Sequence, residues 1–195
     1  MPLPGDAVHA LKARKSARVW KPEPLKGTLL SRALRYAAEQ DTAMWAPAFR
    51  EIPSPTAAVL AQRIQGLPEG YYHYTLGHGE FLAQPQILPR MEELVLQLEF
   101  GQAPVIILIL GDMSAALSSH GPVGHRHLLT RSAAYAHAIW LSALSDGAAG
   151  TVFAGVIGSA ARTTLGIDGF RQAQMLGVAL GYAQDPSRST DGAVQ

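Results

Sequence analysis

The sequence predicts an α+β fold, a mixed β-sheet flanked by helices, on three observations. Val105-Ile106-Ile107-Leu108-Ile109-Leu110 is apolar without alternation, as a strand covered on both faces requires. Residues 25–40 carry Leu29, Leu30, Ala33, Leu34, Ala37 and Ala38 at helical spacing. Tyr71 to Leu76 and Glu80 to Leu82 flank Gly77-His78-Gly79, the pattern of a hairpin. Helices thus interleave with a buried strand and a hairpin, which points to α+β rather than to regular strand–helix alternation.

In chain order, Asp6 caps a short helix to about Ala13, with Val8 and Leu11 facing inward. Arg14-Lys15-Ser16-Ala17-Arg18 follows. Lys21-Pro22-Glu23-Pro24 then forces an extended passage, because each proline biases its predecessor away from helix. After the helix over 25–40, Met44-Trp45-Ala46-Pro47 and Ile52-Pro53-Ser54-Pro55-Thr56 read as a proline-punctuated loop, and Ala57 to Gln65 suits either a helix or a strand. Leu67-Pro68-Glu69-Gly70 turns into the hairpin, and Pro89 to Phe100 reads as helix. Beyond the central strand, Gly111 to Gly124 reads as a mobile loop rich in Ser, Gly and His. Arg126 to about Ser145 is the longest predicted helix, ended by Gly147 and Gly150. A strand over Thr151–Val156, a helix over Ser159–Leu165 closed by Gly166, and a strand over Met175–Tyr182 complete the pattern, with a frayed tail from Gln184. No repeat or linker divides residues 1–195, so one domain is expected.

Apolar residues make up 48% and charged residues 16%, a surface so lightly charged that a second copy is expected to cover part of it. With 16 basic against 15 acidic side chains, the chain lacks the basic field of a nucleic-acid binder. The absence of cysteine excludes disulfides, thiolate catalysis and zinc–sulfur sites. Met1 to Asp6 has neither the basic nor the apolar region of a secretory signal, and Val105 to Leu110 is too short to span a bilayer. The expectation is a cytoplasmic protein without a membrane partner.

Several constellations invite chemistry. Arg14 and Arg18 lie four residues apart with Ser16 midway. On a helix the two arginines share a face; on a turn all three side chains converge on one anion, where the Arg fork pairs phosphate oxygens two at a time. A solvated basic turn has the same spacing, which does not choose between them. No Walker loop and no G-x-G-x-x-G after a strand is present. His120, His125 and His127 suggest a metal, but no carboxylate lies near them in the chain. Ser118 and Ser119 beside His120 lack the third, orienting member of a nucleophile–base set. Tyr71-Tyr72-His73-Tyr74 suits a half-buried strand as well as an aromatic ligand.

Five segments, taken in order, resemble the SagB-type dehydrogenases of the flavin-dependent nitroreductase superfamily. Arg14-Lys15-Ser16-Ala17-Arg18-Val19-Trp20 resembles that family's opening Arg-x-Ser-x-Arg-x-aromatic, and Pro53-Ser54 its Pro-Ser-x-Gly loop. Gly66-Leu67-Pro68-Glu69-Gly70-Tyr71-Tyr72-His73-Tyr74 is similar to its Gly-Leu-x-x-Gly-x-Tyr-x-Tyr hairpin. Ala103-Pro104 leads into its apolar strand, and Leu165 to Gly169 with Leu176 to Gly181 resembles its closing segment.

The resemblance implies a nitroreductase-like homodimer, intertwined through long helices, with FMN at the subunit interface. Arg14, Ser16 and Arg18 would hold the FMN phosphate and ribityl end, Ser54 would approach the flavin from the other subunit, Gly155 would let backbone lie close to the ring, and Arg126 would reach the cofactor from the long helix. The implied reaction is oxidation of azoline rings to azoles in a ribosomally made peptide, with other peptide-modifying enzymes as partners. Three departures stand out. Thr56 replaces the loop's glycine; Thr130-Arg131-Ser132-Ala133-Ala134 replaces an acidic residue followed by Gly-His; and Ser119-His120 stands where azoline oxidases carry a Lys-Tyr pair. His120 is therefore the candidate base, imidazole being the side chain best suited to proton transfer near neutral pH. A non-catalytic scaffold subunit and an NAD(P)H-dependent reductase of small molecules are the alternative functions.

Overall fold

The computed structural model describes residues 8, 11–12, 14–75, 80–88 and 90–184, with the Thr75 side chain excluded. The Asp6 cap, the Gly77-His78-Gly79 turn and the tail beyond Gln184 lie outside the described residues. Val8 and Leu11, expected to face inward, are exposed.

Six strands form one antiparallel sheet in the order β5 (Glu80–Ala83), β4 (Gly70–Thr75), β2 (Thr56–Ala61), β6 (Val105–Gly111), β8 (Ala173–Gly181) and β7 (Ala149–Phe153). Its neighbouring pairs are all antiparallel. The parallel component comes from a small second sheet, β1 (Leu25–Lys26) with β3 (Ile64–Gln65), and from a bridge between Ser16 and Gly150.

The apolar run sits at the centre of the sheet, and every residue of β6 is buried. Val105, Ile107 and Ile109 share a cluster with Leu30 and Leu34 of α1 (Gly27–Met44) and with Tyr135, Ile139 and Trp140 of α4 (Pro122–Ser145). Ile106, Leu108 and Leu110 point the other way, to Leu94, Phe100, Phe153 and Leu165. Strand periodicity of two sends alternate residues to opposite faces, and here both faces are covered, so both sets must be apolar. Each such Ile or Leu contributes about 1.5–3 kcal/mol on burial. No helix among the described residues is long and apolar enough to cross a membrane.

Elsewhere the structure decides what the sequence left open or corrects it. Of the segment 57–65, left open between helix and strand, residues up to Ala61 lie in β2, where Ala57, Val59 and Ala61 face one cluster while Ala58 and Leu60 face the other; Ile64–Gln65 forms β3 of the small sheet. The helix expected over 89–100 is not formed: Arg90 to Phe100 is mostly irregular, with one 3₁₀ turn at Met91–Glu93 and the short α2 (Leu98–Gly101). The predicted mobile loop at 111–124 is chiefly helix, α3 (Met113–His120), whose cap Asp112 accepts a hydrogen bond from the Ala115 N–H at 2.8 Å. Gly121, at φ 57°, breaks α3 from α4, which starts with Pro122 in its first turn. Finally, α5 (Gly158–Leu165) closes on Gly166 at φ 67°, in the left-handed conformation expected of a helix-terminating glycine.

Candidate functional site

Arg14 to Arg18 is neither helix nor turn. Ser16 bridges Gly150 in parallel, and the Ala17 N–H donates to the Gly150 carbonyl at 3.1 Å, so the stretch lies extended along the outer edge of β7. Extension explains the side-chain division: Ala17 is buried, whereas Ser16 and Arg18 line a cavity of about 410 Å³. Phe100 and Phe153, whose ring centroids are 4.7 Å apart, also line it, together with Ala154 and Gly155 just after β7. That segment is pinned: the Leu96 N–H donates to the Gly155 carbonyl and the Ile157 N–H to the Leu94 carbonyl, both at 2.8 Å. Arg18 Nη1 donates to Glu99 Oε1 at 3.1 Å at the surface. Arg14 leaves this cavity and places its guanidinium 4.8 Å from the ring centre of buried Trp140, a cation–π contact.

The remaining candidates gather elsewhere, around the loop between α1 and β2. Its organiser is Arg131 on α4, which is 1% exposed. Nε and Nη2 donate to the two carboxylate oxygens of Asp41, each at 2.6 Å, in a fork-on-fork pair. Nη1 donates to the carbonyls of Ile52 at 2.7 Å and Phe49 at 3.3 Å, and Nη2 also donates to Ser54 Oγ at 2.8 Å. A guanidinium has five N–H donors, and all are engaged. Asp41 and Arg131 are 90 positions apart, so spacing offered no signal for the pair.

His120 ends α3 and meets His127 of α4 edge to face, with ring centroids 5.1 Å apart; Phe49 packs on His127 at 4.7 Å. The Nδ1 atoms of both histidines are buried and have no hydrogen-bond partner. Arg126 is exposed on α4, immediately before His127 in the chain. Among the described residues no three His, Cys, Asp or Glu side chains are placed to hold a metal ion. Ser16, Arg18 and Gly155 thus share one cavity; Ser54 and His120 belong to a second region, and neither lines that cavity.

A further titratable pair lies on β4. The hydroxyl of buried Tyr71 is 2.5 Å from His73 Nε2. Burial pushes the Tyr71 phenol up to about 12 and lowers His73, since both sites disfavour charge. Tyr71 Oη therefore keeps its proton at neutral pH and can donate it to the imidazole.

No curated protein of known function matches this chain. Solved structures share its fold at low identity. An Anabaena variabilis protein assigned to the nitroreductases superposes with a TM-score of 0.77 at 18% identity over 92% of this chain, which spans only 38% of that protein's length. An Exiguobacterium sibiricum protein assigned to the same group and solved in complex with FMN gives 0.61 at 13% identity, covering 100% of this chain and 94% of the other. The E. coli microcin synthetase McbBCD complex with truncated pro-MccB17 bound gives 0.68 at 16% identity, covering 95% of this chain and 75% of the matched one. The model of the Nitroreductase family, whose members are in general FMN-dependent oxidoreductases, matches residues 11–182, and the chain belongs to that family.

Proposed function

We propose that this protein is an FMN-dependent dehydrogenase of the SagB type, oxidising azoline rings to azoles within a ribosomally made peptide. The observation that carries the cofactor assignment is the cavity beside β7, which Ser16 and Arg18 line together with Phe100 and Phe153. Its lining offers both kinds of contact that FMN needs: a guanidinium and a hydroxyl for phosphate oxygens, and apolar rings with strand-end backbone for the flavin. Glu99 engages only one of the five donors of Arg18, leaving the rest of the fork for a ligand. Gly155 supports the same reading. A Cβ there would touch Leu96 at an ordinary 3.4 Å, so packing within the chain does not require glycine, while close passage of a ligand would.

In this reading Arg18 receives the phosphate and Ser16 adds a neutral donor, both from the cavity lining, while Arg14 would join them by turning from its contact with Trp140. Ser54 and Arg126, outside that cavity, would act from the second subunit of a homodimer. Bound FMN would supply the hydride acceptor. Proton removal is assigned to His120, at Nε2, because its Nδ1 is buried. The peptide substrate class rests on the SagB-type resemblance and on the fold shared with a synthetase complex that holds a precursor peptide.

The visible spectrum of the purified protein tests the cofactor. A bound-flavin spectrum is expected in the native protein and is expected to disappear when Arg14 and Arg18 are both replaced by Ala. A flavin spectrum surviving that double replacement overturns the assigned clamp. A colourless native protein that takes up no added FMN overturns the whole reading in favour of a scaffold subunit. Bleaching by NAD(P)H without turnover of an azoline peptide would identify a small-molecule reductase instead. With flavin occupancy held equal, unchanged turnover in His120→Ala removes His120 as the base.

A further inference from the structure

We propose that the buried Arg131–Asp41 pair is a positioning device that fixes Ser54 Oγ as an acceptor toward the protein and so commits its hydroxyl proton to the bound flavin. The inference rests on the FMN reading above and extends it to two residues with no expected role in the site.

The geometry is specific. Arg131 Nη2 donates to Ser54 Oγ at 2.8 Å while Ser54 itself remains exposed. A serine hydroxyl has one proton and two lone pairs, and the guanidinium occupies a lone pair. The proton must then point away from Arg131, toward the exposed side. Pro53 and Pro55 flank the serine, and each biases the residue before it, Ile52 and Ser54 respectively, toward extended backbone. The loop before it is held by the same guanidinium through the Phe49 and Ile52 carbonyls. Position and orientation of the hydroxyl therefore share one origin.

Asp41 makes the device electrically quiet. It neutralises the guanidinium through two bonds of 2.6 Å, so what reaches the surface is a polarised hydroxyl rather than a full positive charge. A neutral, oriented donor matches an acceptor-only partner, such as a flavin carbonyl oxygen or an unprotonated ring nitrogen. Lysine at position 131 could hold the charge but offers three donors from a single point, so it cannot serve Asp41, both carbonyls and Ser54 together.

The test is a double-mutant cycle read on FMN affinity, by titrating apoprotein into FMN and following flavin fluorescence, with the visible absorption band as a second readout. Ser54→Ala is expected to weaken FMN about tenfold and to shift the flavin band, and Ser54→Thr to restore both. In an Arg131→Lys background, adding Ser54→Ala is expected to change affinity by less than about twofold, because the orientation is already lost. Additive effects of the two substitutions overturn the inference, as does an unchanged affinity and spectrum in Ser54→Ala. Asp41→Asn, which keeps the shape, is the second background should Arg131→Lys fail to fold. Should both fail, Ser54→Ala against Ser54→Thr decides, and equal loss in the two overturns the hydroxyl's role. A native protein that binds no FMN defeats the cofactor reading itself, whereas a yellow native protein indifferent to Ser54→Ala defeats only this inference.

Discussion

Glu99 holds Arg18 at the mouth of the cavity, and the pair is a competitor of the ligand that Arg18 is proposed to bind. With Arg18 62% exposed and Glu99 35% exposed, the ion pair is a surface one, worth about 0.2–1 kcal/mol. Glu99→Gln is therefore expected to tighten FMN by about 1.5- to 5-fold in a fluorescence titration, with the gain shrinking as salt is raised. Unchanged affinity would mean that Arg18 does not turn toward the phosphate. Gly155→Ala makes the opposite prediction. Since its Cβ fits the protomer, thermal stability should stay within about 0.5 kcal/mol while FMN binding weakens. His73 and His137 set a third expectation. Burial lowers His73; burial, then the nearby Arg14 charge, lowers His137. In each, the unfolded state binds the proton more readily, so their contribution to stability is complete above the ordinary value of 6.5 and is lost as pH falls through the depressed folded pKa. The midpoint of thermal unfolding should drop on acidification from about pH 7, and His73→Gln should flatten that slope by removing the group that Tyr71 faces.

At the scale of elements, glycine content misdirected the reading of residues 111–124 in an instructive way. Ser, Gly and His in succession suggest a loop, yet Gly124 is buried inside α4 because α3 passes over it. A Cβ at Gly124 would stand 1.9 Å from the Ala116 carbonyl oxygen, a clash with backbone that no side-chain motion relieves. Gly124→Ala should cost about 1–3 kcal/mol in denaturant unfolding and should disturb the contact between His120 and His127. If stability is unchanged, α3 does not pack there. The Asp112 cap followed by an Ala-containing helix was the readable signal for α3. What was legible without help was whatever depends on local pattern: the central strand, the hairpin strands and the helix beginning near Leu25. The Arg131–Asp41 pair was illegible for the opposite reason. It joins α4 to the end of α1 across 90 positions, and Arg131 had stood out only as a departure from a family motif. The two-cluster division of the site was hidden for the same reason, since adjacency across a sheet edge leaves no trace in spacing.

For the whole molecule, the division of the candidate residues between two regions becomes a prediction about assembly. Ser16, Arg18 and Gly155 line the cavity at the β7 edge, while Ser54 sits on the loop held by Arg131. If two copies build each flavin site from one region apiece, defects in different regions can complement each other. In a dimer of an Arg14→Ala/Arg18→Ala chain with a Ser54→Ala chain, one site collects both defects and the other collects none. Random reassortment of equal amounts makes half of all dimers mixed, so on the order of a quarter of all sites should regain native FMN affinity. Neither parent alone should show that tight-binding fraction. Co-expression with two affinity tags, purification of the mixed species and an FMN titration read the outcome directly. Biphasic binding, with one native-like site per mixed dimer, is the expected result. Uniformly weak binding in a verified mixed dimer would place Ser54 and the Arg18 cavity in the same site of the same chain, and the proposed intersubunit arrangement would fall.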